Sequence, residues 1–461
     1  MTARFGSSLL LTVALLAAAR PAVSLAGDET LADSPADAIF RSKLTVAEAK
    51  GIIRELVHRQ RSWEILLPNL TTLDPDVAEA LAKPSGFYRI SLPAVQSLSP
   101  ETARALALRT GDLDLPAISS LPPDTAAAFA RHRGLLELAG LKTIDADLAA
   151  ALARHSGHLC LSGLAEMTPE VAAALARQTK HLSLPGLTDL PVEIATALAL
   201  HRGRSLTLAG VTGISAEVAL AFSAHEGDLV LPRLAECPAD VAAALAGHVG
   251  PLTLDGSFVL TAQTASLLAA HRSTLTLPGH SYFPVDVAAA LADHEGTLSL
   301  PGIGMLGDDV AAAFSLHRGV LCFPGLTMLS AAAANALSIH QGTLVLSGLT
   351  MLEPGAAAAL LRHAGDIDLY QLSQASRLDS AEIAALLADK SPLLTLPNVQ
   401  RLDSLGSAAV AGALVEAGGA VAIPNLRAAT AETIAILLSR GNVAIPPIDM
   451  VDLLPEPSLD P

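Results

Sequence analysis

The feature that most constrains this 461-residue chain is a repeat with a period of about 23 residues. Fixed-period self-similarity is typical of a solenoid, in which each repeat packs only on its neighbours. Leu-x-Leu or similar apolar segments recur near seventeen positions between residues 65 and 443, so we predict about seventeen repeats. A histidine keeps the same period over much of the chain: His132, His155, His201, His225, His248, His271, His294, His317, His340 and His363.

Each repeat is predicted to contain a short strand, a turn and a helix, as in residues 298–319. The alternation of Leu-x-Leu favours a strand with both leucines inward. A following Pro and then Gly or Asn indicate the end of the strand and a sharp turn. An acidic residue in the first helical turn and a Val-Ala-Ala-Ala-Leu-Ala segment favour a helix. Because a helix of about ten residues is marginal alone, stacking of repeats must supply the missing burial.

This order of elements resembles the leucine-rich-repeat family, and within it the bacterial variants with Ala-rich helices. The resemblance covers residues 63–446, although the turn glycine comes one residue earlier than in the family pattern, as at Gly348. It implies an α/β solenoid of about seventeen repeats, with a parallel sheet on one face and short helices on the other.

The two ends of the chain differ from the repeats. Residues 1–26 have the charge, apolar core and small-residue cleavage site of a signal peptide, with an uncleaved anchor as the alternative. Export would place the chain outside the cell, in the periplasm or in the cell envelope, with no membrane span after cleavage. Residues 27–62 are predicted to form an N-terminal helical cap, with a Thr45–Glu48 capping box. Residues 447–461 are predicted to be an acidic, proline-containing tail.

The acidic charge of the chain argues against two classes of partner, and the positions of its cysteines argue against disulfide bonds. The chain has 29 basic and 45 acidic residues, which argues against binding to nucleic acid or anionic membranes. Three cysteines leave at least one free thiol. Cys160 and Cys322 occupy the same repeat position seven strands apart, and Cys237 follows a turn, so we predict three free thiols.

No motif predicts catalysis or a cofactor. Gly302, Gly304 and Gly307 match the spacing of a dinucleotide-binding loop, but Gly302 is the turn glycine of the repeat and no acid ends the next strand. We therefore expect a non-enzymatic protein without cofactor. The histidine ladder is better explained by one cap or buried hydrogen bond per repeat than by a column of metal ions, because Arg109 and Lys390 replace histidine at its ends.

Most outward residues of the strands are small and uncharged, but one cluster differs. His158 and Cys160 are expected on the same strand face, with His181 and Glu137 on the neighbouring strands. Imidazole, thiolate and carboxylate are zinc ligands, so these four residues form a candidate metal site. Chance occupancy of exposed positions is the alternative.

The repeat pattern breaks in two places, at residues 257–283 and 370–380. Phe258, Tyr282, Phe283 and Tyr370 are the aromatic residues at these breaks, and exposed aromatics often anchor partners. We predict an exported scaffold that binds a protein or glycan through its strand face or broken repeats. The alternatives are a structural cell-envelope protein without a discrete ligand, tolerated drift at the breaks, and a metal-binding module.

Overall fold

The computed structural model describes residues 38–59, 63–83, 88–255, 258–416 and 419–455. The described residues belong to two compact units, one that ends at Gly186 and one that begins at Leu187. The predicted signal peptide over residues 1–26 lies outside the described residues, as do residues 27–37 and 60–62 of the predicted cap. Each unit has its own run of strands and its own row of helices.

The first unit is a stack of strand–helix repeats. Its strands pair in parallel and in sequence order, and the inward apolar residues are direct partners, as in the pairs Ile65–Ile90 and Leu113–Leu136. The strands are Glu64–Leu66, Arg89–Ser91, Leu113–Asp114, Leu136–Glu137, His158–Cys160 and His181–Ser183. The α-helices are Val46–Ile53, Pro75–Ala82, Pro100–Leu106, Pro123–Ala128, Ala146–Leu152 and Pro169–Leu175, with a π-helical segment Arg54–Arg59 and a 3₁₀ turn Phe129–Arg131.

The second unit has the same parallel order and the same register of inward residues, as in the pair Leu275–Leu298. Its first run of strands is Ser205–Thr207, Asp228–Leu231, Leu252–Leu254, Leu275–Thr276, Leu298–Ser299, Leu321–Cys322, Leu344–Val345 and Ile367–Asp368. A second sheet contains Leu393–Thr395, Ala420–Ala422 and Val443–Ala444. Two small sheets follow the turns. One contains Met328–Leu329 and Met351–Leu352, and the other contains Arg401–Leu402, Ala428–Thr430 and Asp452–Leu454.

The helices of the second unit are short, like those of the first. They are Val192–Leu198, Ala216–Ala221, Ala239–Leu245, Ala262–Ala269, Val285–Ala292, Asp308–Phe314, Ala331–Leu337, Ala356–Leu361, Tyr370–Ser373, Ala381–Lys390, Ser407–Glu416 and Ala431–Leu437. Two 3₁₀ turns, Phe222–Ala224 and Ile448–Met450, complete the elements of the described residues.

The core of each repeat lies between its strand and its helix. The inward strand residues are fully buried, for example Leu159, Leu161, Leu298 and Leu300, and the alanines of the helix bodies that face them are buried as well. Alanine favours the helix, and its small side chain lets helix and sheet approach closely. All seventeen predicted strand cores fall within strands. The fold is therefore the α/β leucine-rich-repeat type that the sequence resembles.

Three of the described helices begin with Ser, Thr or Asp followed by proline, a pair that favours an N-cap and the first helical position, and two of the three form the side-chain cap. Ser99 and Thr168 each accept a hydrogen bond from the backbone three residues later, and proline occupies the next position. Asp74 also precedes a proline, but its carboxylate makes no cap bond. It lies 3.1 Å from the Lys43 ammonium instead, so an ion pair replaces the cap.

The ends of the array agree with the sequence only in part. The Thr45–Glu48 capping box is present, and Ile52 and Ile53 are buried. Trp63 is exposed, so it is not part of the packed cap. The segment predicted as a tail from residue 447 begins with ordered structure, because Asp452–Leu454 pairs with Ala428–Thr430 and closes a small sheet. Residues 456–461 lie outside the described residues.

Candidate functional site

The ladder histidines lie where each helix ends, and all ten are buried. Several bond to the preceding repeat through Nε2, which donates to the carbonyl oxygen of the residue 21 positions earlier. The Nε2–oxygen distance is 2.9 Å from His132 to Gly111, 3.1 Å from His248 to Gly227 and 3.0 Å from His363 to Gly342. Each such bond joins two repeats inside the core, where an unpaired carbonyl would be costly.

The other ring nitrogen serves the local backbone in two of the repeats. The amide of Gly157 donates to Nδ1 of His155 over 3.3 Å, and the amide of Gly342 donates to Nδ1 of His340 over 3.2 Å. An imidazole that donates from Nε2 and accepts at Nδ1 is neutral. Protonation would convert Nδ1 into a second donor facing an N–H group, so these two contacts require His155 and His340 to be uncharged.

The non-histidine members of the ladder identify its role. The side-chain amide of Gln178 donates to the Gly157 carbonyl over 2.7 Å, and its oxygen accepts from the Lys180 amide over 2.5 Å. Gln178 thus makes both bonds of the neutral imidazole. Arg109 bonds to the carbonyls of Gly111 and Tyr88, and Lys390 donates to the His363 carbonyl over 2.7 Å. At these positions the ladder therefore supplies a buried hydrogen bond between repeats, as the sequence predicted. Three ladder residues depart from this pattern, because neither ring nitrogen reaches a partner within hydrogen-bonding geometry: His271, His294 and His317.

In the second unit the ladder is an unbroken column of imidazoles from residue 201 to residue 363. Neighbouring rings have centroids 5.4–6.2 Å apart and lie within 25° of parallel. Burial, with a smaller contribution from adjacent imidazoles, lowers the pKa of His294, His317 and His340 to about 4. These histidines are consequently neutral at neutral pH.

The four predicted metal ligands lie on the strand face of the first unit. His158 and His181 are register partners, and their ring centroids are 5.7 Å apart. Glu137 and Cys160 are also register partners. Neighbouring strands thus bring all four residues onto one face, as the repeat spacing predicted.

The chemistry of this cluster does not favour a bound ion. Among the described residues, no group of three or more His, Cys, Asp and Glu side chains is placed to hold a metal. Burial, with a smaller contribution from the Glu137 carboxylate, raises the pKa of the Cys160 thiol to about 11. Since the thiolate is the metal-binding form, the thiol would have to lose its proton at a high cost at neutral pH. The metal site remains a prediction.

Arg89 organises the charges at this end of the strand face. Its guanidinium lies 2.8 Å from the Asp114 carboxylate, 3.1 Å from that of Glu137 and 3.8 Å from that of Glu64. The hydroxyl of Ser91 also donates to Asp114 over 2.9 Å. One arginine therefore bridges four neighbouring strands, and Glu137 is engaged in this network.

Two of the four predicted partner-binding aromatics are part of the core. Phe258 and Phe283 are buried, so the prediction of exposed anchors is wrong for them. The His280 ring lies 4.9 Å from Phe258 and 5.9 Å from Phe283, centroid to centroid, and its Nε2 donates to the Phe258 carbonyl. Phe283 also packs on Phe314. In these two successive repeats, aromatic rings fill the space that leucine fills elsewhere, so the packing of the core is kept.

The other two aromatics are exposed. Tyr282 is 78% exposed, and Tyr370 is 58% exposed at the start of the short helix Tyr370–Ser373. The amide of Tyr370 donates to the Asp368 carboxylate over 3.0 Å, which anchors the start of that helix. Both tyrosines are accessible to a partner.

A row of exposed apolar residues runs through five consecutive repeats of the second unit. We call it the apolar row, and it consists of Val259, Tyr282, Met305, Met328 and Met351, which share one position of the repeat. Val259 is 81% exposed, Met305 69% and Met351 58%. The same position is polar or glycine in the eight repeats that precede the row in sequence, namely Thr72, Ser97, Ser120, Thr143, Glu166, Asp189, Gly213 and Glu236.

The apolar row was missed by sequence reasoning, although an aligned set of repeats contains the signal. In most repeats this position directly precedes a buried residue, as Met305 precedes Leu306. The alternation of side chains along an extended segment therefore directs it outward. Exposed contiguous apolar residues are uncommon on soluble proteins and mark interaction sites.

Two further observations concern the cysteines and the membrane. All three cysteines are free thiols, as predicted. Cys237 is buried at the repeat position that Leu306 and Leu329 occupy, and this burial raises the pKa of its thiol to about 11. Within the described ranges, no helix is both long enough and apolar enough to cross a membrane.

No protein-family model matches this chain, and no curated protein matches it. Three solved structures are similar at low identity. A leucine-rich-repeat protein of Leptospira interrogans is 16% identical with a TM-score of 0.35, over 74% of this chain and 84% of that one. An internalin of Listeria monocytogenes is 14% identical with a TM-score of 0.35, over 71% and 89%. A chain of the Drosophila Toll–Spatzle complex is 13% identical with a TM-score of 0.37, over 77% and 56%. Because these identities and TM-scores are low, the assignment of the fold depends on the register of this chain's own strands.

Proposed function

We propose that this chain is an exported, non-enzymatic leucine-rich-repeat scaffold that binds a partner protein through a surface centred on the apolar row. A glycan is the alternative partner. Export depends on the signal-peptide pattern of residues 1–26, and partner binding depends on the row itself. The observation that carries the proposal is the change from polar to apolar residues at one exposed repeat position.

The side chains of the row suit a protein partner better than a glycan. Tyrosine is enriched among residues that dominate binding energy, and methionine adapts its flexible side chain to varied apolar surfaces. Val259 adds a branched aliphatic group at the end of the row. Hydrophobic side chains of a partner can bury against all five residues, whereas a sugar ring would gain from only the tyrosine.

The polar surroundings of the row add specificity. Thr327 and Thr350 precede two of the methionines and are exposed. Asp308 accepts a hydrogen bond from Ser330, and Glu353 accepts one from the Ala331 amide, so both carboxylates are held beside the row. An apolar centre with a polar rim is the usual composition of a protein interface.

Site-specific cross-linking tests this proposal. A photo-reactive benzophenone amino acid at position 282 is expected to capture a discrete protein from the exported fraction of the source cells. The same probe at position 108, where Leu108 is exposed in the first unit, is the matched control. A Met328→Ser substitution should weaken capture from position 282 by roughly tenfold, as expected for a central interface residue.

The other outcomes separate the alternatives. Capture of a species that is sensitive to glycosidase would indicate a glycan. Equal capture from positions 282 and 108, or no capture, would reject the proposed surface and favour a structural cell-envelope role.

A further inference from the structure

Three methionines are stacked in register within the apolar row. We call Met305, Met328 and Met351 the methionine row. Met305 and Met328 form a parallel bridge, and Met328 and Met351 are partners in a small parallel sheet. Backbone hydrogen bonds hold this register, from the Thr350 amide to the Thr327 carbonyl over 3.0 Å and from the Met351 amide to the same carbonyl over 3.1 Å.

The direction of these side chains follows from the alternation along each short strand. Leu306 and Leu329 directly follow Met305 and Met328 and are buried. Met305 and Met351 are largely exposed, and Met328 between them is partly exposed. Neighbouring parallel strands are separated by about 4.8 Å, so three thioether side chains project from one surface within about 10 Å.

The choice of methionine at these positions is unusual for this chain. The chain contains six methionines, and these three occupy one repeat position in succession. Leucine fills most other large apolar positions of the repeat. If the row needed only apolar volume, leucine would serve at these positions as it does elsewhere. Compared with leucine, methionine has a more flexible side chain and a polarisable sulfur atom with lone pairs, and the sulfur is the atom that can bind a metal ion.

Thioether sulfur is a soft ligand. Soft sulfur ligands favour monovalent copper over the hard ions magnesium and calcium, and silver(I) has the same preference. Thioethers carry no acidic proton, so they bind without the deprotonation that thiol and imidazolium ligands require. Because the methionine side chain has three rotatable bonds, the outer two residues can lean towards Met328 and place three sulfur atoms around one ion.

We propose that the methionine row is a surface site for one soft monovalent cation, copper(I) or silver(I), held by the three thioether sulfurs. These three residues also belong to the proposed protein-binding surface, but the metal site depends on their sulfur atoms and does not require a protein partner. It is also separate from the predicted His158–Cys160 cluster, which lies in the first unit and would use ligands that must lose a proton.

Silver(I) titration followed by methyl NMR tests the site. The probe is silver nitrate in chloride-free buffer, added to full-length protein with ¹³C-labelled methionine methyl groups. Cys160→Ser, Cys237→Ala and Cys322→Ser substitutions remove the competing thiols, and circular dichroism verifies that this background is folded. The methyl signals of Met305, Met328 and Met351 should shift together and saturate at one equivalent of silver.

Leucine substitutions provide the controls, because leucine keeps the apolar side chain and removes the sulfur. Met328→Leu should weaken silver binding at least tenfold, and Met305→Leu should do the same. Met450→Leu changes an isolated exposed methionine and should leave the affinity unchanged. The affinity should also be the same at about pH 7 and about pH 8.5, because thioethers do not titrate.

Two results would overturn the proposal. One is three methyl signals that shift separately or do not saturate, and the other is binding that Met328→Leu leaves intact. Cross-linking from position 282 is expected to survive Met328→Leu. Failure of the metal site is thus distinguishable from failure of the protein-binding proposal.

Discussion

The two units place different residues at the same buried ladder position. The first unit has Arg109, His132, His155 and Gln178 in succession, whereas the second has eight histidines from His201 to His363. Both sets bond to backbone groups between repeats, for example Gln178 to Gly157 and His363 to Gly342. The position therefore demands a buried hydrogen-bonding side chain, and histidine is one of several that satisfy it.

The strand faces differ as well. In the first unit Arg89 joins three carboxylates, and histidines and a cysteine follow on the next strands. In the second unit most outward strand residues are hydroxyl-bearing or apolar, such as Thr253, Thr276 and Ser299. The apolar row also lies entirely in the second unit. The same backbone frame thus carries a charged surface in one unit and an apolar one in the other.

The largest expected effect is acid unfolding of the second unit before the first. Burial lowers the pKa of His317 and His340 from about 6.5 to about 4, so the unfolded chain binds protons first as the pH falls. Stability from these groups is complete above about pH 6.5 and is lost progressively down to about pH 4. Each such histidine contributes roughly 3 kcal/mol. Burial lowers the pKa of six ladder histidines in the second unit and of two in the first.

Hydrogen exchange at a series of pH values measures this difference. Helices between residues 192 and 361 should lose protection at a higher pH than helices between residues 75 and 175. Simultaneous loss in both units, or earlier loss in the first, would contradict the link between the column and acid sensitivity.

The next effect concerns single ladder residues. His363→Ala removes the donor to the Gly342 carbonyl and leaves a cavity, so we expect a loss of about 2–4 kcal/mol in the free energy of unfolding. His363→Gln should cost less than about 1 kcal/mol, because Gln178 makes equivalent bonds in the first unit. Denaturant unfolding compares the two variants, and equal losses would show that glutamine cannot replace histidine.

Gln178→His is the reciprocal change and acts only in acid. The variant should match the parent protein at about pH 7.5, where the new imidazole is neutral and keeps the bond to Gly157. At about pH 4.5 it should destabilise the first unit by up to roughly 3 kcal/mol, since a buried imidazole resists protonation. Hydrogen exchange of residues 146–175 measures this effect, and an unchanged acid profile would reject it.

A smaller effect is expected from the charged face. Arg89→Gln leaves Asp114 and Glu137 close together without their shared cation. The loss should be about 1 kcal/mol at low salt and less in high salt, where repulsion between carboxylates is screened. Thr276→Val, at a neutral position of the second unit, is the control and should show no salt dependence. The salt series decides between an electrostatic and a packing role for Arg89.

The smallest expected effect is the response of the first unit to zinc. The Cys160 thiol has a pKa of about 11, so we expect weak zinc binding that is the same in the parent and in Cys160→Ser. Calorimetric titration measures both. Tight one-to-one binding that Cys160→Ser abolishes would establish the four-residue site on the strand face.

The repeat pattern was sufficient to predict most of the fold. The spacing of Leu-x-Leu located all seventeen strand cores, and the Thr45–Glu48 capping box was correctly predicted. The repeat pattern led to wrong predictions where one side chain fills the space that another leaves. Phe258 and Phe283 were predicted as exposed anchors because their repeat lacks the usual leucine, but His280 and Phe314 pack against them. Sequence spacing does not record which side chain fills a gap.

The sequence by itself determined the repeat, the inward leucines and the buried polar position, because these follow from periodicity and local capping chemistry. Tertiary structure decided what each outward position does. Strand register placed Met305, Met328 and Met351 in one exposed row and joined Arg89 to three carboxylates. It also showed that His132, His248 and His363 bond to the preceding repeat, 21 residues earlier. These are contacts between repeats, and the stacking that creates them exists only in the folded chain.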